Sequence, residues 1–304
     1  MRIFHQLSVY ACITGLFLLF CTVPTVAEEA KTGIEIMEES FQRHELYPYV
    51  YENQTMILMD SSGNRNVRKL RRFSRVETDE TIKFLLVIDN PVEVRGVALL
   101  AVQPPSGAGK SGVYLPAFGK KLIANAGEAR GNYFLDTDFT IEDLTPEPIS
   151  DYRYKRVEDI NIKKVFYYVV DAFPANKDIE RATGYSYRRH FVRKDTFFLV
   201  RTDFFDRRGR FIKRQTSHDL KQVSGDMWRA NMVLMEDYKK HHKSLIKINK
   251  RVFSHDYVPP EMFTEEWLQE NRHIKNQKRS LSEKKSDEEV ENNDLEGVEE
   301  VIGE

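Results

Sequence analysis

The sequence predicts a mainly β protein built on one antiparallel sheet, a barrel or sandwich rather than a parallel α/β fold. Short runs rich in β-branched and aromatic residues recur along most of the chain, polar turn clusters separate them, and no helix-length apolar pattern alternates with them. A short helix opens the body, because Thr32 and Glu35 have capping-box spacing and Ile34, Met37 and Phe41 recur at i, i+3 and i+7. Strands are expected over residues 50–60 and 67–76, on either side of a hairpin turn at Ser61-Ser62-Gly63-Asn64. Further strands are expected over 82–88, 96–102, 152–158, 163–172, 185–193 and 196–205. Asp206-Arg207-Arg208-Gly209 then turns the chain into 210–216, and strands over 228–237 and 242–253 complete the set. No internal repeat is evident.

The two ends differ from this body. Arg2, the apolar run of residues 11–20 and the small-residue site Thr25-Val26-Ala27 predict a secretory signal over residues 1–27, cleaved near Ala27. Pro24 ends the run short of the ~20 apolar residues a membrane anchor needs. Lipidation at Cys21 is disfavoured by bulky Phe20 before it. Cys12 and Cys21 are the only cysteines, so the processed chain forms no disulfide, uses no thiol nucleophile and holds no Cys-ligated zinc. Residues 275–304 carry 5 Lys/Arg against 10 Asp/Glu, a net of −5, in a chain whose total is −1. With no aromatic and few apolar residues, that segment is expected to be a disordered acidic tail, leaving 28–274 as the folded domain.

The most specific local pattern lies in the middle of the chain. Val113-Tyr114-Leu115-Pro116-Ala117-Phe118-Gly119-Lys120-Lys121-Leu122 runs on toward Leu135-Asp136-Thr137-Asp138-Phe139-Thr140-Ile141-Glu142-Asp143-Leu144. The pair resembles the signature of the LolA-like outer-membrane lipoprotein-sorting family, in which a YLP..GK strand precedes an sDF.yeDL turn. Arg95-Gly96-Val97-Ala98-Leu99-Leu100, the hairpin Phe205–Lys213 and the closing Val258-Pro259-Pro260-Glu261-Met262-Phe263-Thr264 are similar to further family segments, so the resemblance spans about residues 33–267. Its motif residues here are Arg95, Gly96, Tyr114, Pro116, Gly119, Lys120, Asp138, Phe139, Asp143 and Leu144.

The resemblance implies an unclosed antiparallel barrel, a strongly curved sheet around an apolar cavity with short covering helices. It implies a periplasmic carrier that takes the acyl chains of a lipid or lipoprotein toward the outer membrane, working with an inner-membrane transporter or an outer-membrane acceptor. The alternative is a LolA-like sensory domain that detects lipidated cargo and signals through a membrane partner. Candidate lining residues are Leu85, Val87, Leu99, Tyr114, Phe134, Phe166, Tyr168, Leu199, Met232 and Leu234, together with Phe84, Phe197 and Met235. Strand alternation sends only half of such residues inward, and sequence alone does not say which half. A solid packed core is the plainer reading for any one of them.

Catalytic and cofactor chemistry find little support. Gly107-Ala108-Gly109-Lys110-Ser111 imitates a phosphate-binding loop, but Pro104 stands where its first glycine belongs. His190, His218, His241, His242 and His255 lack metal-ligand spacing, and no G-x-S-x-G elbow occurs, so no cofactor, metal or catalytic residue is expected. Asp136, Asp138 and Asp143 are expected to serve the turn, with Thr140 and Asp143 capping a short helix. The basic stretch Arg65, Arg68, Lys69, Arg71, Arg72 and Arg75 reads as a charged strand edge or a peripheral contact with anionic head groups or an acidic partner face, not as a nucleic-acid surface.

Overall fold

A computed structural model describes residues 30–106, 109–116, 121–124, 131–275 and 298–302. The expected signal segment, Gly119, Lys120 and most of the acidic tail lie outside the described residues. Every element below belongs to the unit that begins at Thr32. The strands are β1 Tyr49–Met59, β2 Arg65–Val76, β3 Ile82–Asn90, β4 Ala98–Gln103, β5 Lys110–Leu115, β6 Lys121–Ala124 and β7 Tyr152–Arg156. They continue with β8 Ile160–Ile162, β9 Val165–Pro174, β10 Tyr185–Arg193, β11 Leu199–Asp206, β12 Phe211–Ser224, β13 Met227–Asp237 and β14 His242–Val252. Among them lie the helices α1 Gly33–His44, α2 Ile141–Leu144, α3 Lys177–Thr183, α4 Glu265–Gln269, α5 Arg272–Lys275 and α6 Val298–Ile302.

All fourteen strands join one antiparallel sheet, in the order β6-β5-β4-β3-β2-β1-β14-β13-β12-β11-β10-β9-β7 with β8 paired on β9. Its centre is the pairing of the first strand with the last: Met56 of β1 lies opposite Arg68 of β2 on one side and Ile246 of β14 on the other. Two meandering arms run outward from there. The sheet is strongly bent, because Phe84 of β3 and Leu99 of β4 share an apolar cluster with Tyr185 of β10 and Phe204 of β11. In a flat sheet β3 and β11 would stand ~29 Å apart, at about 4.8 Å per strand step. The described edge strands β6 and β7 do not pair with each other, so the expected unclosed barrel is what the chain forms.

Bending gives the sheet a concave and a convex face. Even-numbered β3 residues Phe84, Leu86 and Ile88 join the concave cluster, whereas Leu85 and Val87 join an outer one. That outer cluster is closed by Val258, Met262, Phe263 and Leu268 from the chain's descent after β14. Gly96 lies close under this descent: it has φ +81°, and a β-carbon there would sit 2.6 Å from Ile274 Cδ1. Only glycine meets both conditions cheaply.

Several expectations need correction. The capping box of α1 forms, with Glu35 N–H on Thr32 Oγ1 at 3.4 Å and Thr32 N–H on Glu35 at 2.7 Å, but the buried face is Ile36, Ser40 and His44. Ile34 is exposed, since close approach of Gly33 to the β7 backbone, where a β-carbon would meet Arg156 N at 2.8 Å, sets the helix rotation. The strand expected over 163–172 is interrupted at its start, because Lys163 and Lys164 adopt φ of 49° and 67° and turn β8 into β9. The basic stretch is no edge: β2 pairs with both β1 and β3. Finally, part of the expected disordered tail is ordered. Val298 and Val301 of α6 are buried against Ile57, Met59, Leu234 and Leu245 on the convex face, because two valines and Ile302 form a small apolar face within the acidic sequence.

Candidate functional site

The concave face receives the segment between β6 and β7, which carries the Asp138-Phe139 motif. Thr140 caps α2 through Asp143 N–H at 3.3 Å, and the Asp143 carboxylate accepts Thr140 N–H at 2.7 Å. That carboxylate also pairs with the Lys213 ammonium at 2.5 Å, both side chains being almost wholly buried. Burial pulls Lys213 below the usual lysine range while Asp143 draws it back up. Ser244 Oγ accepts Asp138 N–H at 3.0 Å and donates to Asp138 Oδ2 at 2.7 Å, and His242 Nδ1 lies 2.7 Å from the same oxygen. Arg188 holds the segment's far end, donating to Glu142 at 3.0 Å, Glu147 at 2.5 Å and Tyr152 Oη at 2.7 Å. The carboxylates of Asp138, Glu142, Asp143 and Glu147 are thus committed to anchoring. Phe139, 1% exposed, is driven into the concave cluster.

Beside the anchored segment the concave face is not filled. A cavity of about 310 Å³ remains, at the low end of the range for small-molecule sites. One part of its wall is apolar: Met56, Phe84, Leu86, Phe139, Leu144, Val233, Ile246 and Ile248. The other part is polar, and it comes from the same strands. On β1 the inward positions read Val50, Glu52, Gln54, Met56, so a two-residue period carries the wall from charge to hydrocarbon. Glu52, 3% exposed, accepts Arg251 Nε at 2.6 Å, Gln54 Nε2 at 2.6 Å and Arg72 Nη1 at 3.3 Å. Burial alone would raise its carboxyl; the Arg72 and Arg251 guanidiniums outweigh burial and hold it below the usual range. Arg251 also donates to Asn231 Oδ1 at 3.1 Å and Ala230 O at 2.8 Å.

Arg229 lines the same polar end. Among the described residues its hydrogen bond is to Trp228 O at 3.2 Å, and no carboxylate lies within pairing distance. Burial pulls its guanidinium below the usual range, partly countered by the field of Glu45. The cavity is therefore amphipathic: beside the expected apolar wall it has a polar end that the resemblance did not imply.

The expected lining residues are scattered by strand parity. Leu99 and Phe134 belong to the concave cluster together with Phe84 and Met235. Leu85, Val87 and Tyr114 lie on the convex face under the 258–268 segment, and Leu234 and Met232 lie there under α6. Tyr168, Leu199 and Phe197 pack with Ile36 and Met37 of α1, and Phe166 is 56% exposed. Of the motif residues, Arg95 Nε donates to Asp89 O at 2.9 Å, Pro116 packs near Gly96, and Phe139, Asp143 and Leu144 line the cavity. Sequence reasoning missed Glu52, Gln54, Arg229 and Arg251, and singled out Arg72 only as part of the basic stretch, not as a cavity residue. The available signal was polar residues at inward parity beside Met56 and Val233, visible only once the direction of one side chain is known.

Among the described residues no helix is long and apolar enough to cross a membrane. No curated protein matches the sequence. A family model described as "Uncharacterized protein" matches residues 80–270. The fold is similar to that of a Vibrio parahaemolyticus domain named for outer-membrane lipoprotein sorting, at 24% identity and a TM-score of 0.72 over 78% of this chain and 98% of that one. A DUF1329 family protein from Desulfovibrio piger matches at 20% identity and TM-score 0.67, over 76% of this chain and 98% of its own. A LolA superfamily protein from Nitrosomonas europaea matches at 17% identity and TM-score 0.63, over 78% of this chain and all of its own.

Proposed function

Since this chain belongs to a family of uncharacterized proteins and has the LolA-like fold, we propose that it is a periplasmic carrier, holding the acyl part of a lipid or lipoprotein in its concave cavity. The observation that carries the reading is the cavity itself, with hydrocarbon from β1, β3, β13, β14 and the Phe139 segment on one wall. Keeping a sixteen-carbon chain out of water is worth more than ~10 kcal/mol at roughly 0.8 per CH₂, so enclosure alone suffices for transport and no covalent step is needed. The carboxylates of the Asp138-Phe139 segment are engaged in anchoring, which leaves them unsuited to acid–base work. The Vibrio neighbour's name supports lipoprotein sorting as the setting, and the signal-like residues 1–27 support export to the periplasm.

The reading is tested on protein recovered from the periplasm without detergent. Mass spectrometry of its organic extract should show acyl-bearing species in amounts close to one per chain. Extracts free of acyl species, from protein that also fails to take up an added acyl probe, would refute it.

A further inference from the structure

The polar end of the cavity identifies a class of cargo. Its wall contains the cations Arg72, Arg229 and Arg251 and the carboxylates Glu45, Glu52 and Asp143. Asp143 is neutralised by Lys213 from behind the wall. Glu52 is shared by Arg72 and Arg251, and Glu45 is exposed at the rim. Cationic side chains are therefore one in excess, and Arg229 is the member with no carboxylate in contact. A half-buried guanidinium facing a cavity is costly unless something satisfies its donors. Planar N–H donors match the oxygens of a carboxylate or phosphate. The apolar wall a few side chains away suits a hydrocarbon chain, and the small volume suits a single one.

We infer that the cavity binds an anionic amphiphile, one acyl chain lying against Met56, Leu86, Val233 and Ile246 with its oxyanion head paired to Arg229. The inference rests on the carrier reading above and narrows it, because a neutral lipid or the uncharged glyceride end of a lipoprotein offers Arg229 only neutral acceptors, which make weaker hydrogen bonds than an oxyanion. A fatty carboxylate and a monoacyl phosphate share the required chemistry.

Cis-parinaric acid and its methyl ester separate head-group recognition from acyl binding. Wild-type protein at pH 7.5 should bind the acid at least tenfold tighter than the ester. Arg229→Gln should remove most of that difference by weakening the acid alone, while Arg229→Lys should restore part of it and the ester stays unchanged. Laurate and lauryl phosphate should displace the acid at micromolar concentration, their ratio telling carboxylate from phosphate. Equal binding of acid and ester by the wild type overturns the inference while leaving the carrier reading intact, and this comparison needs no variant to fold. Equal losses for both probes in Arg229→Gln also overturn it, as does displacement by acetate or inorganic phosphate as effective as by laurate, which would mark a small-anion site. Failure of both probes removes the carrier reading and the inference together.

Discussion

His190 shows how a single buried residue sets the response of this fold to acid. It is 7% exposed, with Nδ1 2.9 Å from Thr202 Oγ1, and burial reinforced by the Arg188 charge pushes it down to about 3. In the unfolded chain a histidine titrates near ~6.5. The unfolded state therefore binds a proton that the native state refuses, so stability is complete above that pH and is lost as pH falls from about 6.5 toward 3. At pH 5 the loss from this residue is ~2 kcal/mol. His44 and His273 are lowered in the same direction by burial and steepen the fall. Thermal melts between pH 7.5 and 5 should show the decline, and His190→Gln should flatten it; an unchanged slope in the variant would place the acid sensitivity elsewhere. The Lys213–Asp143 pair makes a second prediction at this scale. Lys213→Met strands a buried carboxylate and should cost about 3 kcal/mol or more, and Asp143→Asn in the same background should recover part of it. A denaturant titration of single and double variants measures both effects.

At the scale of elements, local chemistry was readable and the choice of face was not. The Thr32–Glu35 and Thr140–Asp143 caps follow from residue spacing alone, and the turns at Asp60–Asn64 and Asp206–Arg210 form around aspartates that accept successive N–H groups. Most strand limits follow the apolar runs to within a few residues, but β12 runs on to Ser224, eight residues past the expected end at 216, and β8 was not expected, because Lys163 and Lys164 take left-handed conformations that no periodicity announces. What periodicity leaves open is direction. Leu85 and Leu86 are alike in sequence, yet one lies under Met262 and Phe263 and the other beside the cavity, because an antiparallel strand buried on both faces has no polar side to reveal its parity. The pairing of β1 with β14 was hidden too, since it joins residues about two hundred positions apart. Leu99 tests this division between solid and open parts of the concave face. It is fully buried in the concave cluster and does not line the cavity, so Leu99→Arg should abolish cooperative unfolding altogether. A cooperative melt near that of the wild type would mean that open space extends beneath β4.

For the whole molecule, the described residues give the bent sheet four apolar contacts to protect: the concave core, the convex core under the 258–268 segment, the packing of α1 on Val170 and Val192, and the patch under α6. The last was illegible because charge dominates residues 275–304, and the two buried valines become informative only beside Ile57, Met59, Leu234 and Leu245. A chain ending at Lys275 uncovers that patch. Its melting midpoint should fall by a few degrees, at ~2–4 °C per kcal/mol for a domain this size, and it should bind more of a hydrophobic dye. Identical melts and dye binding would show that the contact contributes nothing. The central claim is that the space on the concave face is a lipid site, and the most direct measurement is titration of a fluorescent acyl probe into wild type and Val233→Trp. Val233 is half-buried and lines the cavity, so an indole there should occupy the space at little cost to folding. Saturable, near-stoichiometric binding by the wild type, lost in a Val233→Trp protein that melts normally, is the predicted result. Wild-type protein that does not bind the probe, or equal binding by the two proteins, would contradict it.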